Sequence, residues 1–125
     1  MTQGMLQFKR FCIIGGLGFV VDSLVFLILN NLTENIMLAR LCAFCVAATV
    51  TWFGNRIYTY RHKQFTTRIE QWCKHMLSAC FSGSINLAVF WLTKDQTVLP
   101  LAFCLGIFAG LVSNYFLANR FVFVK

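Results

Sequence analysis

Eight polar residues lie inside or at the ends of long apolar stretches of this sequence, where polar groups need partners. They are Asp22, Arg40, Asn55, Arg56, Asn86, Asn114, Asn119 and Arg120. The set combines one carboxylate, three guanidinium groups and four carboxamides, all of which form hydrogen bonds. An arginine fork in particular suits the planar, bidentate recognition of a phosphate. We therefore treat these eight residues as candidate ligand-binding residues.

Asp22 and Arg40 form a potential ion pair. Asp22 is the only acid inside an apolar stretch, and Arg40 lies near the start of the next one. Pairing would reduce the cost of placing either charge in apolar surroundings. The pair could be purely structural, or it could be a gate that a charged ligand opens.

The composition excludes a disordered chain and argues against a soluble globule. The chain has 125 residues, of which 58% are hydrophobic and only 12% are charged. Disorder requires low hydrophobicity, and soluble domains carry roughly twice this share of charged residues. These proportions are typical of a membrane protein.

Four stretches are long and apolar enough to cross a bilayer, which takes about 20 residues. They cover residues 11–31, 36–54, 75–93 and 98–118. The sequence therefore predicts an all-α integral membrane protein with four transmembrane helices in a single domain over residues 1–125. We expect the first span to be retained rather than cleaved as a signal peptide, because its apolar stretch is too long. Little chain remains for a soluble enzyme domain.

The basic residues predict the orientation. Eleven Lys and Arg residues give a net charge of +7, and nine of them flank the spans on one side. Five of these nine fall in the loop predicted over residues 55–74. The positive-inside rule places this loop and both termini in the cytoplasm. The charge therefore reflects topology and contact with anionic membrane lipids rather than binding to nucleic acid.

The two halves of the chain form a weak internal repeat. Residues 9–61 and 73–125 align without a gap, so that Asp22 falls on Asn86 and Arg56 falls on Arg120. Each half holds two spans, which predicts two parallel two-helix repeats. In this alignment the two arginines sit at equivalent cytoplasmic ends, where they either bind a lipid phosphate or only anchor the helices.

Each span has one face of small or polar residues. The faces consist of Gly15, Gly18 and Asp22 in the first span, Arg40, Ala43, Ala47 and Thr51 in the second, Ser78, Ser82 and Asn86 in the third, and Gly106, Gly110, Ser113 and Asn114 in the fourth. Such faces either let helices approach closely or line a polar groove. Because four helices enclose little space, we expect a homo-oligomer joined through the Gly106/Gly110 face or through aromatic faces.

No metal or cofactor site is predicted. The six cysteines lie in or beside spans, where free cysteine behaves as a small hydrophobic residue. Cys42 and Cys45 have the spacing of a metal-binding pair, but no histidine lies near them in the sequence. His62 and His75 are isolated, and we expect them at the membrane interface.

The chain resembles the GtrA-like family. The resemblance rests on Lys9-Arg10-Phe11 with the glycines that follow, on Asp22, on Ala39-Arg40, and above all on the segment 55–60, Asn-Arg-Ile-Tyr-Thr-Tyr, with its counterpart beginning at Asn119-Arg120. It covers nearly the whole chain. The chain departs from the family's usual pattern in two respects: it has Thr51 and Tyr115 where an asparagine is common, and Val122-Phe123 where a tryptophan and an aromatic residue are common. These departures bear on sugar specificity.

The resemblance implies a function and a set of roles. Members of the family are four-span bacterial inner-membrane proteins implicated in moving polyprenyl-phosphate-linked sugars, typically undecaprenyl phosphate glucose, to the outer leaflet. A membrane glycosyltransferase then adds the sugar to O-antigen or another surface polysaccharide. On this basis Arg56 and Arg120, with Asn55 and Asn119, would gather the phosphate. Asp22, Asn86 and Asn114 would bind sugar hydroxyls, and Arg40 would receive the phosphate near the outer face. No enzymatic step and no cofactor are implied.

Two other functions fit the sequence. Small proton-coupled drug or cation exporters have a similar length and an acid in the first span, although that acid is usually glutamate and their charge bias is often weak. A non-transporting anchor would instead recruit a glycosyltransferase through the basic loop.

Overall fold

Four long helices make up most of the molecule in the computed structural model, which describes residues 2–63 and 66–124. The helices are α1 (Gln3–Leu32), α2 (Ile36–Gly54), α3 (Arg68–Thr93) and α4 (Leu99–Leu117). A π-helical segment extends α2 over Asn55–Thr59, and another extends α4 over Ala118–Val122. The described residues contain no strand. All four helices are long and apolar enough to span a membrane, which confirms the predicted fold class.

Three of the four helices begin at short polar side chains. The side chains of Thr2, Asn35 and Thr67 accept hydrogen bonds from backbone N–H groups in the first turns of α1, α2 and α3. Thr67 and Glu70 have the spacing of a capping box, which favours a helix start at this point. These caps satisfy donors that a helix otherwise leaves without a partner.

The helices extend further than the predicted spans. α1 begins at Gln3 rather than at residue 11, and α3 begins at Arg68 rather than at residue 75. The predicted basic loop over residues 55–74 is correspondingly shorter, because Asn55–Thr59 continue the second helix. Hydropathy measures how much of a helix is apolar, whereas capping determines where the helix starts.

The chain divides at residues 65 and 66 into two compact units. In the first unit, α1 packs antiparallel to α2 and its π-helical segment. The contact is mainly apolar: Ile14 packs against Gly54, and the ring of Phe11 meets that of Tyr60 edge to face. Along α2 the first unit also buries a row of small residues. That row consists of Ala39, Ala43, Ala47 and Ala48.

The second unit has the same architecture with a more polar contact between its helices. α3 packs against α4 and the second π-helical segment. The residues that α3 buries are Gln71, His75, Ser78 and Ser82, and those that α4 buries are Ala102, Gly106 and Gly110. The two units therefore share a helix pairing but differ in the chemistry of their interfaces.

The buried positions give the register of the internal repeat. The first helices match at a shift of 64 residues, since Phe11, Ile14 and Gly18 correspond to His75, Ser78 and Ser82. The second helices match at a shift of 63, since Ala39, Ala43 and Ala47 correspond to Ala102, Gly106 and Gly110. The two π-helical segments are also 63 residues apart.

A contact between the helices of each unit supports this register. The guanidinium of Arg10 lies 5.1 Å from the ring centroid of Tyr58, and the ammonium of Lys74 lies 5.5 Å from that of Phe121. The cations are 64 residues apart and the rings 63. The structure thus differs from the gapless alignment after the first helix of each half. One residue turns a helix by about 100°, so a gapless match would move the buried face out of the contact. In the structural register Arg56 corresponds to Asn119, and Arg120 corresponds to Ile57.

Gly106 and Gly110 pack inside the second unit. A methyl group at Gly106 would lie 2.8 Å from the backbone oxygen of Asn86, and one at Gly110 would lie 3.1 Å from that of Ser82. Both glycines let α3 approach α4 closely, as small residues do in membrane helices. The expectation that this face joins subunits of an oligomer is therefore wrong, because α3 already covers it.

This contact predicts a difference between two glycine substitutions. Gly106→Ala should lower the free energy of unfolding by about 1–3 kcal/mol, because the added methyl overlaps backbone that can move only if the helices separate. Gly83→Ala is the matched control, since nothing lies within 4 Å of the added methyl. Unfolding of the full chain in mixed micelles, followed by circular dichroism, measures both. Equal stability of the two variants would contradict the close contact at Gly106.

Candidate functional site

Asp22 and Arg40 form the ion pair that the sequence suggests. The Nη2 atom of Arg40 donates to Oδ2 of Asp22 at 3.1 Å, which links the middle of α1 to the first turns of α2. The guanidinium also lies 4.7 Å from the ring centroid of Phe26. The charge of Arg40 is thus balanced by a carboxylate and by the face of an aromatic ring.

Asn55 holds the start of the first π-helical segment. Its side chain is buried, and Oδ1 accepts a hydrogen bond from the hydroxyl of Thr59 at 2.8 Å. Its backbone oxygen accepts from the N–H of Tyr60 at 2.7 Å, five residues later, as in a π-helix. Such segments are frequent at functional sites. Asn55 therefore shapes the end of α2 from inside the unit.

Arg56 lies in the same π-helical segment with a different environment. It is half-buried, and its guanidinium lies 6.0 Å from the ring centroid of Trp52, one turn earlier. On the same end of the unit, Arg10 lies against Tyr58. Stacking on aromatic rings orients a guanidinium while leaving its edge able to donate hydrogen bonds. This end of the first unit therefore presents two oriented arginines.

The end of the second unit has a weaker positive charge. Arg120 is exposed, with its guanidinium 5.7 Å from the ring centroid of Phe116, and Asn119 donates to the backbone oxygen of Tyr115 at 2.9 Å. Lys74, the counterpart of Arg10, forms an ion pair with Glu70 at 2.7 Å. The two arginines of the Asn-Arg motifs thus have similar aromatic supports but unlike surroundings.

Asn86 and Asn114 lie on the contact between α3 and α4. The side chain of Asn86 lies beside both Gly106 and Gly110. Asn114 follows Gly110 by one helical turn, and its buried Oδ1 has no hydrogen-bond partner among the described residues. The structure therefore gathers these two carboxamides along one helix contact.

Two further polar residues, Gln71 and His75, lie at the start of this contact and are not among the predicted candidates. Gln71 falls in the predicted loop but is fully buried on α3. His75 is only 1% exposed, which the sequence did not indicate, and its depth at the membrane interface stays a prediction. Both continue the spacing of Ser78, Ser82 and Asn86 toward the N-terminus of α3, and this periodicity was the available signal.

The candidate residues thus group within units. Asp22 pairs with Arg40, Asn86 and Asn114 share the contact between α3 and α4, and each Asn-Arg motif lies in or beside a π-helical segment. No group of three or more metal-ligating side chains occurs in the described part of the chain. The arrangement offers cations at the ends of α2 and α4 and hydrogen-bonding groups along the helices.

The ion pair predicts a strong coupling between its partners. Asp22→Asn or Arg40→Gln alone should destabilise the protein, because each leaves one charge without its partner in a span. The double variant should recover part of this loss, with a coupling energy of about 0.5–3 kcal/mol. Unfolding in micelles measures the cycle, and Glu34→Gln, in the exposed connection after α1, is the control. Purely additive losses would contradict the pairing.

Comparison with known proteins agrees with this architecture. No curated protein matches the chain. The family described as GtrA/DPMS, transmembrane domain, matches residues 10–123, a range that includes all eight candidate residues. The predicted resemblance is confirmed, and with four membrane-spanning helices this chain belongs to the GtrA/DPMS transmembrane domain family.

Proposed function

We propose that this protein moves a polyprenyl-phosphate-linked monosaccharide, such as undecaprenyl phosphate glucose, from the cytoplasmic to the outer leaflet of a bacterial inner membrane. A membrane glycosyltransferase there uses the sugar on a surface polysaccharide such as O-antigen. The observation that carries the proposal is the family match over residues 10–123 of a four-span chain. The geometry supports it in three steps.

The first step is capture of the phosphate. Arg56 and Arg120 lie at the predicted cytoplasmic ends of α2 and α4, each beside an aromatic ring. Guanidinium groups at head-group depth form bidentate, charge-assisted hydrogen bonds to a phosphate. Asn55 and Asn119 support the capture by holding the local helix conformation, since their side chains bond to Thr59 and to the backbone of Tyr115.

The second step is passage of the sugar. The polyprenyl tail is apolar and stays in lipid, so only the head group needs polar partners. Asp22, Asn86 and Asn114 lie at membrane depth and offer carboxylate and carboxamide groups that pair with hydroxyls. Because four helices enclose little volume, a homo-oligomer joined through exposed aromatic faces completes the route.

The third step is release near the outer face. Arg40 is positioned to receive the phosphate there, and the incoming phosphate competes with Asp22 for the guanidinium. The ion pair is then a gate that the substrate opens. No covalent bond is made or broken, so the protein is not an enzyme. Consumption of the sugar on the outer side drives the net direction.

The alternative functions fit the structure less well. In a proton-coupled exporter the first-span acid must exchange protons, whereas Asp22 is held against Arg40. Proton-driven efflux of a quaternary ammonium dye that is lost in Asp22→Asn would favour the exporter. A membrane anchor would not transport the lipid-linked sugar. The arginine variants described next distinguish this function from translocation.

Arginine substitutions test phosphate capture. We call sugar exposure the appearance of the lipid-linked sugar at the outer surface of liposomes that contain polyprenyl phosphate glucose. Arg56→Ala and Arg120→Ala should each slow sugar exposure about ten- to hundredfold, which corresponds to the loss of one charged hydrogen bond. An enzymatic probe restricted to the outer medium measures the rate. Arg61→Ala is the control, because it removes the same charge from an exposed turn beyond the π-helical segment.

The same variants separate translocase from anchor. A translocase loses sugar exposure and still co-purifies with its glycosyltransferase, whereas an anchor loses the partner. Unchanged exposure in both arginine variants would refute the assigned roles of Arg56 and Arg120.

A further inference from the structure

Two buried hydroxyl groups of α3 have no hydrogen-bond partner in the part of the chain that the structure describes. Ser78 is 2% exposed and Ser82 is 4% exposed, and neither Oγ atom has a hydrogen-bond partner among the described residues. A buried hydroxyl without a partner is costly, so such groups usually bind water or a ligand. Both serines lie on the face of α3 that packs against α4.

Several other hydroxyls of the spans donate to the backbone of their own helix. Thr49, Ser84, Thr93 and Ser113 each donate to the backbone oxygen four residues earlier, at 2.7–2.9 Å. This is the usual solution where a hydroxyl has only lipid or apolar side chains around it. Ser78 and Ser82 do not form this hydrogen bond, although each also has a backbone oxygen four residues earlier in the same helix. Their hydroxyls are therefore oriented toward something other than the helix backbone.

An unsatisfied acceptor lies on the facing helix. The backbone of Ser82 meets α4 at Gly110, where an added methyl would lie 3.1 Å from the Ser82 oxygen. Ser78 lies one turn before Ser82 on α3, and Asn114 lies one turn after Gly110 on α4. Because the two helices are antiparallel, both residues lie in the same direction from the contact of Ser82 with Gly110. The Oδ1 of Asn114 is buried and also has no partner in the described part of the chain. Two hydroxyl donors and one carboxamide acceptor thus share a short stretch of the contact.

The first unit has no such group at the matching positions. In the structural register Ser78 and Ser82 correspond to Ile14 and Gly18, and Asn114 corresponds to Thr51. Thr51 donates to the backbone oxygen of Ala48 at 3.0 Å, and its methyl group packs against Gly18. The same helix pairing is therefore closed by apolar contacts in the first unit. The second unit instead leaves polar groups without partners.

We propose that Ser78, Ser82 and Asn114 form a binding site for hydroxyl groups on the contact between α3 and α4. The ligand is either water or the hydroxyls of a sugar head group, and the assignment to a sugar rests on the proposed function. Each serine hydroxyl can donate to and accept from a ligand hydroxyl, and Asn114 Oδ1 accepts from one. Gln71 and His75 extend the polar residues from this site toward the predicted cytoplasmic end of α3. The translocation route then uses the second unit rather than both units equally.

Thiol accessibility tests this site in the full chain. The six native cysteines are replaced, and Ser78→Cys, Ser82→Cys and Ile14→Cys are made singly in that background. Ile14 is the matched control, because it is buried at the position of the first unit that corresponds to Ser78. A thiol must be hydrated to ionise and react. The probes are Ag⁺, which is small, and a charged methanethiosulfonate, each applied to proteoliposomes before denaturation and counting of the remaining thiols.

The expected result is reaction at Ser78→Cys and Ser82→Cys about tenfold or more faster than at Ile14→Cys, because only the first two thiols meet hydroxyl ligands. Rates at both serine positions no higher than at Ile14→Cys, with either probe, would overturn the proposal. Circular dichroism and full reaction after denaturation establish that each variant is folded and carries its thiol.

The lipid composition identifies the source of the hydroxyl. The rates are compared in liposomes with polyprenyl phosphate glucose and with polyprenyl phosphate alone. If the thiols at positions 78 and 82 react more slowly with the glucosylated lipid but not with polyprenyl phosphate, the site holds the sugar. If they react equally fast with both lipids, the site holds water. Sugar exposure is followed in the same liposomes. Fast thiol reaction without sugar exposure would retain the hydroxyl site and refute the translocase.

Discussion

A bilayer core offers no hydrogen-bond partners, and this constraint determines how every polar group of the chain is placed. The backbone is satisfied by four long helices, by side-chain caps at three of their starts and by π-type hydrogen bonds where α2 and α4 end. Where the structure gives a hydrogen-bond partner for a hydroxyl in a span, that partner is mostly a backbone oxygen of the same helix. Asp22 and Arg40 satisfy each other. Against this background the buried hydroxyls of Ser78 and Ser82 are exceptional, because the same solution was open to them.

The two units share one way of pairing two helices, but the side chains at the helix contact differ in chemistry. Both place a cation of the first helix on an aromatic ring of the second, and both end in a π-helical segment. The first unit is held by Phe11, Ile14 and a row of alanines, and it carries the ion pair of Asp22 and Arg40. In the second unit, His75 and Ser78 stand at the positions of Phe11 and Ile14. Its helices approach each other closely at Gly106 and Gly110. The contact between the helices is therefore mainly apolar in the first unit and mainly polar on the α3 side in the second.

Much of the fold could be predicted because the relevant signals are local. Hydropathy gives four spans, and Asp22 and Arg40 are the charges that most need a partner at membrane depth. The helix ends could not be placed in this way, since Thr67 and Asn55 act through hydrogen bonds that hydropathy does not measure. The structural register of the repeat differs from the gapless alignment in the second helices, because it follows the buried residues of α2 and α4 rather than the identical Asn-Arg pairs. The burial of His75 and the partner of Gly106 depend on which faces of α3 and α4 meet, which follows only from tertiary packing.

The most direct test of translocation is the rate at which polyprenyl phosphate glucose becomes accessible to an enzyme confined to the outside of liposomes that contain the wild-type chain. We expect the protected inner-leaflet fraction to be consumed faster as the protein-to-lipid ratio rises. We also expect a sugar-free phospholipid reporter to stay protected in the same liposomes. Consumption that stops at the outer leaflet, at the level of protein-free liposomes, would contradict translocation by this protein.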